Sequence, residues 1–293
     1  MKRPLLYALV LASLCGSMAA HANDPVRVDS KEYKVLLDPG QFASNPQTAA
    51  NSLLQALAVR LDQLDFDKSI DGSFAADGLD QVAYYDTPGD CALKNAGYSV
   101  RTRSGDDNDI EFKYRHPDEE LSYYTDVTGN GKNASSKLET DVTPLSLVYS
   151  HSTKQDPGKS GTPATIDELI SQFSGASVLS AHGGESLADV NGLQITQQEY
   201  DGPSSDLGQS DADFTLTLWY VNGSGTPALA ELSFRVEADD DHYFTTPVLQ
   251  RSQVLMQAMS TLGSWNLSPA TTKTAWVYSR TSSSYPNGFC SGN

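Results

Sequence analysis

Tyr98-Ser99-Val100-Arg101-Thr102-Arg103 and, a few residues on, Ile110-Glu111-Phe112-Lys113-Tyr114-Arg115 are the stretches that decide the fold. In both, charged residues recur at every second position, with apolar or neutral residues between them. Side chains at spacing two lie on one face of a β-strand. The stretches therefore read as two strands, over 98–104 and 109–115, each with a charged face and a mostly apolar one. Asp106-Asp107-Asn108-Asp109 between them reads as an exposed hairpin tip.

The same alternation appears three more times. Glu32 and Lys34 flank Tyr33; Lys137, Glu139 and Asp141 alternate with Leu138 and Thr140; Glu231, Arg235 and Glu237 alternate with Leu232, Phe234 and Val236. Two architectures produce such rows. One is a half-buried antiparallel sheet whose charges face bulk water. The other is a barrel whose apolar faces pack outward under helices and whose charged faces line a polar interior. An interior needs both signs, because unpaired buried charges are costly, and four of the five rows carry both. The mix of antiparallel strands with a few flanking helices reads as an α+β fold, and the rows by themselves leave both architectures open.

Around these rows, further strands are expected at 28–37, 82–85, 121–127, 136–143, 193–200, 213–221, 228–238 and 272–280. Asn51–Leu64 carries Leu53, Leu54, Leu57, Leu61 and Leu64 on one stripe and reads as an amphipathic helix. Asp86-Thr87-Pro88 can cap a short helix that stops at Gly97. Residues 152–164 are rich in breakers and read as a linker between two halves. Thr165-Ile166-Asp167-Glu168 fits a capping box that opens another helix. Asn222-Gly223-Ser224-Gly225 signals a hairpin, and Thr246-Pro247 opens a final helix running to about Leu262.

The N-terminus has the form of a secretory signal peptide over residues 1–22: Lys2 and Arg3, an apolar run from Pro4 to Leu14, then Ala20-His21-Ala22. That run is too short to span a bilayer, so the expected mature protein, 23–293, is one domain, periplasmic or secreted, without membrane insertion. Cleavage leaves Cys91 and Cys290, a disulfide candidate in an oxidising compartment. The bridge would close a loop of about 200 residues, worth roughly 4–5 kcal/mol in the chain-entropy model; two free thiols are the alternative. The formal charge moves from −17 to −19 when Lys2 and Arg3 leave, which argues against nucleic acid and anionic membranes as partners. Eighteen of the 20 basic residues remain, and seven of them fall in the five rows: Lys34, Arg101, Arg103, Lys113, Arg115, Lys137 and Arg235.

A cavity with basic residues on some walls and carboxylates on another suits a phosphate-rich anion. Arg and Lys hold phosphate oxygens, and carboxylates hold a hard cation that bridges them. Phosphoryl transfer needs little beyond such positioning, charge neutralisation and an oriented water.

Tyr84-Tyr85-Asp86-Thr87-Pro88, then Leu93-Lys94-Asn95-Ala96-Gly97-Tyr98-Ser99-Val100-Arg101-Thr102-Arg103, then Glu111-Phe112-Lys113, closely resembles the central signature of CYTH (triphosphate-tunnel) domains. The match is dense over about 30 residues and looser over about 28–280. The resemblance implies an eight-stranded antiparallel tunnel that binds triphosphates, polyphosphate or adenine nucleotides with Mg²⁺ or Mn²⁺. It implies that Lys34 and Glu32 belong to the N-terminal E-x-E-x-K strand, that Arg101, Arg103 and Lys113 are phosphate ligands, and that Lys273 matches a late lysine of the family. Glu32, Lys34 and Lys113 are then candidate catalytic residues. Arg101, Arg103, Arg115, Lys137, Arg235 and Lys273 are candidate substrate ligands, and Glu32, Glu139, Asp141, Glu231 and Glu237 candidate ligands for Mg²⁺ or Mn²⁺. The chain departs from the pattern in three places: Ser30 stands where the first glutamate is expected, 193–200 carries no Lys or Arg, and Ser233 and Arg235 interrupt the C-terminal glutamate row.

Three functions are compatible with these residues. One is metal-dependent hydrolysis of tripolyphosphate or a related phosphoanhydride. Another is capture of a polyanion without turnover. The third is a structural barrel whose charges pair with each other. The mature histidines, His116, His151, His182 and His242, show no zinc-type spacing. His182-Gly183-Gly184 reads as a loop, as there is no G-x-S-x-G partner.

Overall fold

The computed structural model describes residues 28–158, 161–240 and 243–291. The expected signal peptide and His242 lie outside the described residues. The elements in chain order are β1 (Ser30–Leu37), a 3₁₀ turn, α1 (Pro46–Asp62), β2 (Ala75–Asp86), α2 (Ala92–Asn95), β3 (Tyr98–Gly105), β4 (Asn108–His116), α3 (Glu119–Tyr124), β5 (Ser135–Val142), β6 (Leu147–Gln155) and α4 (Ile166–Gln172). After a long 3₁₀ segment come β7 (Ala188–Asp189), β8 (Ile195–Asp201), β9 (Ser204–Asp206), β10 (Asp211–Val221), β11 (Leu229–Glu237), α5 (Thr246–Ser260) and α6 (Lys273–Tyr278).

The strands run β11-β1-β5-β6-β4-β3-β2-β8-β10, and β10 pairs back onto β11, so nine strands close a barrel. All neighbours in the ring are antiparallel except β1 and β5, which are parallel. The architecture is thus a closed mixed barrel with helices, where eight antiparallel strands were expected. The ninth strand is β6, whose Ser152–Gln155 fall in the stretch read as a linker. That stretch is dominated by Ser, Thr and Lys, and it is strand because it fills the gap between β4 and β5 with full ladders on both sides.

Strand faces sort as the alternation requires. Tyr33, Val35 and Leu37 point outward with Phe214, Leu216, Leu232 and Phe234 into a cluster covered by Leu53, Leu57 and Leu61 of α1 and Leu255 and Met259 of α5. On the opposite side Val100, Ile110 and Phe112 pack under Ile166, Leu169 and Phe173. A third cluster gathers at one end of the barrel, where Leu36, Leu229 and Trp219 meet Trp276 and Val277 of α6 and Phe289.

Helix signals account for two corrections. Residues 121–127 were expected to be a strand; instead Asp118 caps α3 by accepting from the Leu121 amide at 2.8 Å, with Glu119 and Glu120 in the first turn. Residues 272–280 were likewise expected to be a strand. There Thr272 caps α6 by accepting from the Ala275 amide at 3.1 Å, and the helix buries Trp276 and Val277. Asn45, rather than a residue near Asn51, starts α1, with Pro46 at its first position.

The segment carrying Asp86-Thr87-Pro88 is a structural anchor. The buried Asp86 carboxylate accepts from the amides of Thr87, Leu93 and Lys94 and from the Tyr278 hydroxyl, at 2.7–3.0 Å. Thr87 Oγ1 accepts from the Ala92 amide. Cys91 and Cys290 form a disulfide with Cα atoms 5.3 Å apart, which ties the C-terminal segment to the start of α2. Such a bond is compatible with an exported protein. Among the described residues no helix is long and apolar enough to cross a membrane.

Candidate functional site

The inward faces of the strands surround a cavity of about 610 Å³. Nine basic and nine acidic side chains line it, so the interior is balanced within a chain of net charge −17. All thirteen residues singled out in the sequence contribute. Glu32 and Lys34 come from β1, Arg101 and Arg103 from β3, Lys113 and Arg115 from β4, and Lys137, Glu139 and Asp141 from β5. Glu231, Arg235 and Glu237 come from β11 and Lys273 from α6.

The two signs are segregated. Arg101, Arg103, Lys113, Arg115 and Lys154, on β3, β4 and β6, form a basic wall that holds Glu111 and, towards the hairpin tip, Asp109. Glu199, Asp213, Glu231 and Glu237, on β8, β10 and β11, form a mainly acidic wall opposite, with Arg235 of β11 set among them. Between them β1 and β5 carry mixed pairs: Lys34 Nζ lies 2.8 Å from both Glu32 and Asp141, and Lys137 Nζ lies 2.6 Å from Glu139. On the basic wall Arg101 reaches Glu111 at 3.0 Å and Lys113 reaches it at 3.2 Å. Arg103 binds Asp109 at 2.6 Å and also pairs with Asp107 in the adjoining hairpin tip. Lys273 Nζ sits 2.7 Å from Glu231.

These pairings set the protonation of the interior. Burial alone would raise the Glu32 carboxyl, but Lys34 and Arg235 outweigh it and hold it at about 2. Glu111 is buried too, and Arg101 and Lys113 keep it well below the usual carboxylate range. Asp141 and Glu139 are depressed in the same way, against burial, by Lys34 and Arg115 and by Lys113, Lys137 and Arg235 respectively. The acidic wall behaves oppositely: burial pushes Glu199 and Glu237 up, because the nearby cations do not offset it.

Ser150 and Ser152, Lys154, Glu199 and Asp213 belong to this interior without having been singled out. Ser150 and Ser152 alternate on β6 with the same parity as the cavity-lining Val148 and Lys154. Ser152 is in register with Lys113 and Lys137, and Ser150 with Arg115 and Glu139. Both hydroxyls are fully buried and have no hydrogen-bond partner among the described residues. Recognising 147–155 as a strand would have placed all three β6 residues on the inner face. Glu199 and Asp213 were visible only as members of uncharged-looking rows.

The five candidate metal carboxylates do not gather into one three-ligand cluster. The five carboxylates offer the hard oxygens that Mg²⁺ or Mn²⁺ prefers, yet among the described residues no three of them bring ligand atoms within 4.8 Å of one another. A protein cation stands among them instead. The Arg235 guanidinium lies 3.6 Å from Glu32, 3.2 Å from Glu139 and 3.9 Å from Glu237. Ser30, at the position where a first glutamate was expected, is buried and donates its hydroxyl to Glu139 at 3.0 Å. Two of the three departures from the expected pattern, Ser30 and Arg235, therefore serve the same carboxylate cluster. Comparison of the sequence with family models and with curated proteins gives no match.

Proposed function

We propose that this barrel is a CYTH-like tunnel that captures a small, phosphate-rich anion without a catalytic metal, in the periplasm or outside the cell. The observation that carries the reading is the basic wall: five cations from three adjacent strands, beside the buried Ser150 and Ser152 hydroxyls, which have no hydrogen-bond partner among the described residues. A phosphate chain offers the acceptors that such donors need, and charge-assisted bonds to it are the strong kind. Arg235 supplies the positive charge that a bridging metal would otherwise bring to Glu32, Glu139 and Glu237. Arg103, Lys113, Arg115 and Lys137 are the ligands expected to grip the anion, each exchanging a carboxylate partner for a phosphate oxygen.

A second reading, a structural barrel with self-paired charges, is favoured by the close pairing of Lys34, Lys137 and Lys273 with carboxylates at 2.6–2.8 Å. Isothermal calorimetry with tripolyphosphate separates the two. Saturable binding in chelator-treated protein, weakened roughly tenfold to a hundredfold in Lys113→Ala, is expected. No heat from either protein leaves the self-paired barrel. Metal-dependent release of phosphate would overturn the metal-free reading in favour of a hydrolase.

A further inference from the structure

Outside the barrel, one group of side chains brings together ligand atoms from distant parts of the chain. His182 Nδ1 lies 2.9 Å from Glu185 Oε1 and 3.7 Å from Asp90 Oδ2, and the three ligand atoms lie within 4.8 Å of one another. We propose that Asp90, His182 and Glu185 form a surface site for a divalent cation of the zinc class. One imidazole nitrogen and two carboxylate oxygens are a donor set that suits such borderline ions, with the remaining coordination positions left to water.

The two halves of the site are held from behind. Asp90 immediately precedes the disulfide-bonded Cys91. Its Oδ1 accepts from Thr87 Oγ1 at 2.6 Å and its carbonyl accepts from Asn95 Nδ2 at 2.5 Å, which leaves Oδ2 turned to His182. The turn carrying His182 and Glu185 is closed by the Glu185 amide donating to the His182 carbonyl at 2.8 Å. It is pinned to the start of α4 by the Ile166 amide donating to Glu185 O at 3.1 Å and the Asp167 amide donating to Gly183 O at 2.8 Å. No lysine or arginine neutralises the pair of carboxylates: among the described residues the ion pairs of Asp90 and Glu185 run to His182 alone. The nearby Lys94 is turned away, over the Tyr278 ring. His182 Nδ1 hydrogen-bonds Glu185 and has Asp90 at ion-pair distance, and a bound cation would engage all three groups together. Sequence spacing hides the site because Asp90 is 92 positions from His182.

The test is calorimetric titration of the mature, chelator-treated protein with Zn²⁺. One saturable site is expected, with affinity at least about tenfold weaker in His182→Ala and in Glu185→Gln, and unchanged in Glu139→Gln, whose carboxylate lies in the barrel. All three ligands are at least partly exposed, so the variants should keep the metal-free melting temperature, which is measured alongside. Absence of saturable Zn²⁺ binding in the wild type, or wild-type affinity in both His182→Ala and Glu185→Gln, would falsify the site. Loss in Glu139→Gln instead would assign the ion to the barrel. Neither result bears on tripolyphosphate binding, which is measured without metal.

Discussion

The basic wall of β3, β4 and β6 and the acidic wall of β8, β10 and β11 are built by the same device, charged residues at alternate positions of neighbouring strands, yet they hold their charges differently. On the basic side, and on the β1 and β5 strips beside it, each buried carboxylate faces a surplus of cations. Glu111 and Glu32 are therefore held strongly ionised. On the acidic side burial dominates, and Glu199 and Glu237 are pushed towards their neutral forms. The difference teaches where a ligand can be accommodated. An anion placed against the basic wall replaces carboxylates that are already matched, whereas the acidic wall has no spare cation to offer it.

The largest effect should come from breaking a matched pair. Lys34 contacts both Glu32 and Asp141 at 2.8 Å with little solvent exposure. Lys34→Met removes the nearest cation from the buried Asp141 and the half-buried Glu32, and removal of one partner of a buried pair typically costs about 3–5 kcal/mol. Urea denaturation at neutral pH should show a loss of that size. A loss under about 1 kcal/mol would mean that water already screens this strip as it does a surface pair.

Next in size is the contrast between the walls in anion binding. Lys113→Ala should weaken tripolyphosphate binding by roughly tenfold to a hundredfold, the range of one charge-assisted hydrogen bond of about 1.5–3 kcal/mol. Glu199→Gln on the other wall should leave it unchanged or slightly stronger. Equal losses from both would remove the distinction between the walls. Arg235→Gln should have a smaller effect of another kind. Without its guanidinium, Glu32, Glu139 and Glu237 lose a shared partner, so added Mg²⁺ should raise anion affinity several-fold in the variant and not in the wild type. The comparison of the two titrations, with and without 5 mM Mg²⁺ (on the order of a usual assay concentration), reads this directly.

Much of this interior was legible in the residues. Alternation at spacing two is a geometric consequence of the strand, so the sequence alone assigns Arg101 and Arg103 to one face of their strand and Glu111, Lys113 and Arg115 to one face of theirs. The helix under the barrel was equally plain from the stripe Leu53, Leu57, Leu61. What escaped was set by tertiary context. The strand β6 is Ser- and Thr-rich and carries no apolar alternation, and its place is decided by the two ladders that need it. Helix α6 looked like a strand because Trp276, Val277 and Tyr278 favour one, but a single threonine cap and the apolar pocket at the barrel end win. The strand count and the parallel β1–β5 pair depend on which edges meet, and no local pattern records that. The same holds for the failure of the five carboxylates to converge: each was correctly placed on an inward face, while their mutual distances follow from barrel curvature and from Arg235.

The smallest expected effect is the one most specific to the acidic wall. A carboxyl whose folded-state pKa is raised costs stability when it ionises, so Glu199 and Glu237 should make the fold slightly more stable as pH falls from neutral towards their titration. The depressed groups act in the opposite direction. Glu32, at about 2 in the fold against an ordinary 4.5, contributes stability that is fully present above pH 4.5 and is lost as pH falls towards 2. Stability should therefore pass through a maximum on the acid side of neutrality and then drop between pH 4.5 and 2. Glu199→Gln removes the first limb only. The glutamine can still accept from Gln197 Nε2, which now lies 2.9 Å from Glu199 Oε1, and it carries no charge to desolvate. The variant should gain less than about 1 kcal/mol at pH 7, show a flatter approach to the maximum, and keep the acid drop unchanged. Denaturation midpoints across pH 2–8 in both proteins (a range bracketing ordinary carboxylate titration) measure this, and a variant that loses stability at pH 7 would show that Glu199 is matched by a cation after all.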